Sequence, residues 1–211
     1  MKNKFRLDKY AIPEKYEIFI EPDLDNEKFI GNETIHLEIN KPTKQIKLNT
    51  IGLKITNPKL LDANKSEYIP EIKFDEEHEM VEFNFNKEIG IGNFSLYLEF
   101  SGILDNSLRG FYMSNYVDEK GESHRIGTTQ FESTDARRAF PCFDEPEFKS
   151  VYALKLKIKK DLFTVSNSSI KEIYEDGDKF VYQFNDTMKM STYLVAFIMG
   201  PFEATNEVDV D

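Results

Sequence analysis

The chain has 211 residues, enough for a real hydrophobic core; 40% are hydrophobic and 31% charged, the balance of a soluble globular protein. Its net charge of -11 argues against the basic footprint that nucleic acid or an acidic membrane surface requires. A lone cysteine, Cys142, excludes an intrachain disulfide and fits a reducing compartment, while 18 Phe and 10 Tyr with no Trp favour strands.

From the start, MKNKFRLDKYAIPEKY lacks the apolar run of a signal peptide, so a cytoplasmic protein is expected. Tyr16, Ile18 and Ile20 open a short strand. Ile35, Leu37 and Ile39 alternate with polar neighbours, as do Val81, Phe83 and Phe85. Phe94, Leu96, Leu98 and Phe100 do the same, and so do Leu154, Leu156 and Ile158. Each is a strand with one buried and one wet face. Turns are expected at Glu21-Pro22-Asp23, Lys41-Pro42, Asn57-Pro58 and Gly90–Asn93, with a hairpin at Asp176-Gly177. Ser133 to Ala139 reads as a short helix capped by Ser133 or Thr134 and ended before Pro141. Tyr193 to Met199 reads as a strand buried on both faces, ended by Gly200-Pro201, and is too short to span a bilayer. Many short antiparallel strands predict an all-β fold, either a β-sandwich or a curved, saddle-like pair of sheets.

Hydrolytic machinery is not evident. His36, His78 and His124 include no i, i+4 pair, so no helical His-Glu-x-x-His zinc site is present, and no metal site is expected. No nucleophile elbow, P-loop or dinucleotide fingerprint occurs. Cys142, between Pro141 and Phe143, reads as a small buried thiol.

The unusual stretch is Thr128–Pro146, TTQFESTDARRAFPCFDEP, where charges crowd among Phe131, Phe140 and Phe143. Charges placed so must be paired, which makes Asp135, Arg137, Arg138 and Asp144 a structural arginine–carboxylate network. Gln130 and Glu132 differ. On a strand continuing from Arg125 through Phe131 they share one face, with Phe131 opposite. An amide beside a carboxylate suits an ammonium ligand.

Here the chain resembles the aminopeptidase N-type zinc peptidases. TQFESTDARRAFPCFDEPEFK carries most of the likeness, supported by IPEKYEIFIEPDLDNEKFIGNETIHLEI, LRGFYMSNY and MSTYLVAFIMGPFE in family order. The resemblance implies a saddle-shaped β domain over residues 1–202, with 203–211 beginning a linker to a catalytic domain not contained here. That later domain would carry Gly-x-Met-Glu-Asn and the zinc-binding His-Glu-x-x-His; this chain would hold no cofactor and be inactive alone. The resemblance gives Glu132 the role of binding the substrate's free amino terminus, and Gln130 that of lining the first side-chain pocket. Peptide amino termini and the parent's own catalytic domain are then the expected partners, with no nucleic acid and no membrane. A freestanding β-sandwich binding or scaffold module without peptidase activity is the alternative. A carbohydrate-binding sandwich is disfavoured, since Trp is absent and most aromatics fall on apolar faces.

Overall fold

Period-two sequence becomes one-sided strands. In residues 28–39 the core side holds Phe29, Ile35, Leu37 and Ile39, all at most 1% exposed, while Ile30, Asn32, Thr34 and His36 face outward. A computed structural model describes residues 6–203, so the expected linker at 203–211 falls almost wholly outside the described residues. The fold is all-β. In chain order the strands are β1 Ala11–Asp23, β2 Lys28–Ile39, β3 Thr43–Asn49, β4 Lys54–Asp62 and β5 Glu67–Tyr68. There follow β6 Glu71–Asp75, β7 Met80–Ile89, β8 Gly92–Ile103, β9 Gly110–Val117 and β10 Ser123–Gln130. The last are β11 Val151–Lys159, β12 Phe163–Ser166, β13 Ile170–Asp176, β14 Lys179–Phe184 and β15 Phe197–Gly200. Helical structure among the described residues is limited to 3-10 turns of three residues.

Three sheets share one core. The largest runs β13-β14-β11-β1-β2-β8-β4-β5; a second runs β12-β15-β10-β9 and a third β3-β7-β6. Neighbours are antiparallel except β1 and β11, which run parallel with Lys15 opposite Val151 and Ile20 opposite Leu156. A chain of rings joins the layers. Phe29 of β2 lies 5.1 Å from Phe111 of β9, which meets Phe197 of β15 at 4.9 Å. Phe197 meets Phe131, Phe131 meets Phe140, and Phe140 meets Tyr16, which stacks on Tyr152 at 5.0 Å. The route leaves the large sheet, crosses the second, and returns through the segment after β10.

Four local expectations need correction. Ser133–Ala139 is not a capped helix: only Ala136–Arg138 forms a 3-10 turn, and Asp135 makes no capping bond because its carboxylate is taken by two arginines. Tyr193–Met199 is not a strand buried on both faces. Thr192–Leu194 is a 3-10 turn with Leu194 exposed, and β15 alternates, with Phe197 and Met199 inward. Glu21-Pro22-Asp23 finishes β1 rather than turning; the reversal comes after it, where Asp23 accepts hydrogen bonds from the Asn26 backbone and side chain. Asn57-Pro58 lies inside β4 at a bulge, where the pairing with β8 skips from Thr56 to Lys59 and needs no proline N–H.

Candidate functional site

Phe131 sets the position of the site. β10 ends at Gln130, opposite Gly110 of β9, and the Phe131 ring then turns inward at 2% exposure against Phe140 and Phe197. The residues on either side, Gln130 and Glu132, are exposed. The strand alternation thus runs one step past the last ladder pair, and both polar side chains stand on the wet side. The Gln130 Nε2 approaches the Glu132 carbonyl at 3.5 Å. The Glu132–Ser133 peptide is cis. The Asp135 N–H closes the turn by donating to the Phe131 carbonyl at 2.9 Å.

Around this pair the charges are committed to each other. Asp135, 5% exposed, accepts from Arg109 Nε and Nη2, both at 3.1 Å, and from Arg138 Nε at 2.8 Å. Arg137 donates from Nε to Asp144 Oδ2 at 2.9 Å, from Nη2 to the Asp144 carbonyl at 3.3 Å and from Nη1 to Glu79 at 2.8 Å. Burial pushes the Asp144 carboxyl above its ordinary range, and Arg137 pulls it only part of the way back. Glu145 is held by Arg6 and by the Leu7 N–H at 2.7 Å. Residues 142 and 144 are also tied to the end of β3: Cys142 and Asn49 exchange backbone bonds, and the Asp144 N–H donates to the Asn49 side chain. Of the four acids in residues 128–146, Glu132 alone has a carboxylate with no hydrogen bond or ion pair among the described residues. The sequence does not reveal Arg109 and Glu79 as members of this frame, because they come from distant segments.

Sequence patterning also leaves Glu33 unnoticed. It follows the parity of Ile35 and Leu37, so β2 turns it into the core, where it is fully buried with neither carboxylate oxygen hydrogen-bonded to a described residue. Burial holds its carboxyl well above the usual range. Counting the alternation back from Ile39 would have found it.

The chain belongs to the peptidase M1 N-terminal domain family, which it matches over residues 12–194. It is 42% identical over 195 residues to a protein named Aminopeptidase 2, mitochondrial, of Saccharomyces cerevisiae (strain ATCC 204508 / S288c), covering 90% of this chain and 20% of that protein. It is 34% identical to Aminopeptidase M1 of Arabidopsis thaliana, covering 96% of this chain and 23% of the relative. With Aminopeptidase N of Acetobacter pasteurianus the identity is 33%, covering 94% of this chain and 55% of the relative. The chain therefore spans about a fifth of the length of the first relatives and about half of the last.

A zinc ion does not fit the residues around Glu132. The neighbouring carboxylates are bound to arginines, and the histidines lie on other elements, facing Ser95, Asp75 and Asp118. Among the described residues one trio does gather: Asp118, Glu122 and His124 at the β9–β10 hairpin bring ligand atoms within 4.8 Å of one another. Its geometry is that of the turn, since Asp118 also accepts from the Lys120 and Glu122 N–H groups. No helix among the described residues is long and apolar enough to cross a membrane.

Proposed function

We propose that this chain is the non-catalytic, substrate-anchoring domain of a zinc aminopeptidase. Family membership supports the parent activity, and the partial coverage of relatives supports a larger parent chain. The observation that carries the anchoring role is the unpaired Glu132 carboxylate, exposed beside Gln130 while the other acids of its segment are tied down. An exopeptidase must locate the end of a chain. The α-ammonium, with a reference pKa of about 8, is charged at neutral pH and pairs with a fixed carboxylate. The Gln130 amide then borders the first side chain. Asp135, Arg137, Arg138 and Asp144 form the frame that fixes this pair. Zinc and the hydrolytic step belong to the remainder of the parent, and this chain alone has no peptidase activity. A cytoplasmic location is part of the reading and rests on the single cysteine; recovery of the protein in an oxidising or membrane fraction would contradict it.

The test is Glu132→Gln in the full-length enzyme. A charge-assisted contact of about 1.5–3 kcal/mol predicts a kcat/KM lower by roughly ten- to hundredfold with an unchanged melting temperature. An unchanged kcat/KM removes Glu132 from the anchor role.

A further inference from the structure

The outward face of the large sheet carries a second polar site, remote in sequence from Glu132. β1, β2, β11, β13 and β14 form an open groove of about 800 Å³. One row across the sheet places Glu172, Gln183, Lys155, Phe19 and Asn32 on adjacent strands, with the exposed Glu172 at its β13 end. Lys155 stands in the middle of that row, partly buried, with no hydrogen bond or ion pair among the described residues. The other partly buried described lysines behave differently: Lys15, Lys47, Lys59, Lys157 and Lys179 each have a carboxylate within 4.0 Å. Among the partly buried described lysines, Lys155 alone has no carboxylate partner.

A second lysine, exposed and with no ion pair among the described residues, faces the same groove. Lys171 sits where the β13–β14 pairing skips from Ile170 to Glu172, so it is the extra residue of a bulge, a device that re-aims a side chain. It immediately precedes Glu172, the residue opposite Gln183, and lies two strands from Lys155, roughly 10 Å by backbone spacing. Of the carboxylates lining the groove, Asp186 pairs with Lys15 at 2.7 Å, and Glu17 lies 4.0 Å from the same lysine and 3.4 Å from the His36 ring. Lys155 and Lys171 thus form two separated positive points, with the Gln183 amide on the strand between them and Ala153 and Phe19 also lining the groove.

We propose that this groove binds a small dicarboxylate, one carboxylate on Lys155 and the other on Lys171, with Gln183 donating an amide hydrogen between them. Two charges about a strand-pair apart match a linear dicarboxylate better than a single phosphate, whose charge is concentrated at one point. The inference does not depend on the peptidase reading, since it uses none of the residues around Glu132.

Glutarate, acetate and inorganic phosphate are titrated separately into the isotope-labelled 211-residue chain, following amide resonances by NMR. Glutarate is expected to shift Phe19, Lys155 and Gln183 saturably, with a Kd of about 1 mM or tighter. Acetate is expected to bind at least about tenfold more weakly, having one charge. Lys155→Met and Lys171→Met, which keep the apolar stem, should each weaken glutarate by about tenfold or more, whereas the exposed Lys87→Met should not. An unperturbed backbone spectrum for each variant shows that it is folded. No saturable shift, equal affinity for acetate and glutarate, tighter binding of phosphate at these residues, or full affinity in Lys155→Met overturns the proposal. In the last case the lysine only covers Phe19 with its stem.

Discussion

The Phe131 ring meets Phe140 edge-on at 6.0 Å, and Glu132 is the next residue in the chain. The placement of the exposed carboxylate is therefore set by packing on the buried side of the same backbone. Phe131→Ala removes an aromatic held by two ring contacts and should destabilise the domain by about 3–5 kcal/mol in chemical denaturation. Phe131→Leu keeps most of the volume and should cost less. In the full-length enzyme Phe131→Leu should still raise KM, because the turn beneath Glu132 loses its fixed geometry. A KM unchanged in Phe131→Leu would separate the core from the site.

Arg137 and Asp144 are both nearly sealed from solvent, so neither tolerates the loss of the other. Asp144→Ala leaves the buried guanidinium with the half-exposed Glu79 as its remaining carboxylate and should cost up to about 3–5 kcal/mol. The double variant Arg137→Met with Asp144→Leu removes both charges and should cost clearly less than the sum of the two single changes. A double-mutant cycle by urea denaturation measures this. Strict additivity would show that the two do not act as a pair.

Glu33 makes stability fall as pH rises. Its carboxyl is held neutral in the folded chain by burial, while in the unfolded chain it ionises above its reference value of about 4.3. The folded state then binds more protons than the unfolded one. The favourable contribution is complete below that value and is lost as pH climbs toward the raised folded pKa, at about 1.4 kcal/mol per pH unit. Glu33→Leu should abolish this slope and be more stable than the parent at pH 8, with a smaller difference at pH 4. Denaturation midpoints that differ equally at both pH values would contradict a buried neutral acid.

Cys142 is fully buried, and burial pushes its thiol well above the ordinary range. It should therefore resist aromatic disulfide reagents in the folded chain and react only as fast as the protein opens. Added urea should accelerate labelling in step with unfolding. Rapid labelling without denaturant would mean that the segment joining Asn49 to Cys142 opens by itself.

Much of this architecture was legible because period two is a local property. The alternation at Ile35–Ile39, Phe94–Phe100 and Leu154–Ile158 marks the strands and their inner faces, and Asp176-Gly177 marks a hairpin with Gly177 at φ +65°. What escaped was non-local. That β11 lies beside β1, and that Arg109 and Glu79 complete the arginine frame, follow from assembly and not from any short window. Proline misled twice. Pro22 and Pro58 signal turns in sequence, yet one closes a strand and the other occupies a bulge. For the candidate site, the parity of Gln130, Phe131 and Glu132 was readable from the sequence. That Glu132 alone in its segment lacks a partner among the described residues was not, because its neighbours are neutralised by residues far along the chain.

The parallel pairing of β1 with β11 has a consequence for how the chain is made. β1 forms a hairpin with β2 early, but its other edge waits for Val151–Leu156, more than a hundred residues downstream. At about 5–20 residues per second, a ribosome leaves that edge uncovered for on the order of ten seconds. During that interval Tyr16, Ile18 and Ile20 are an open template for another nascent chain. Lys15, Glu17 and Glu21, interleaved with them on the same strand, are the charges that discourage such pairing until β11 arrives.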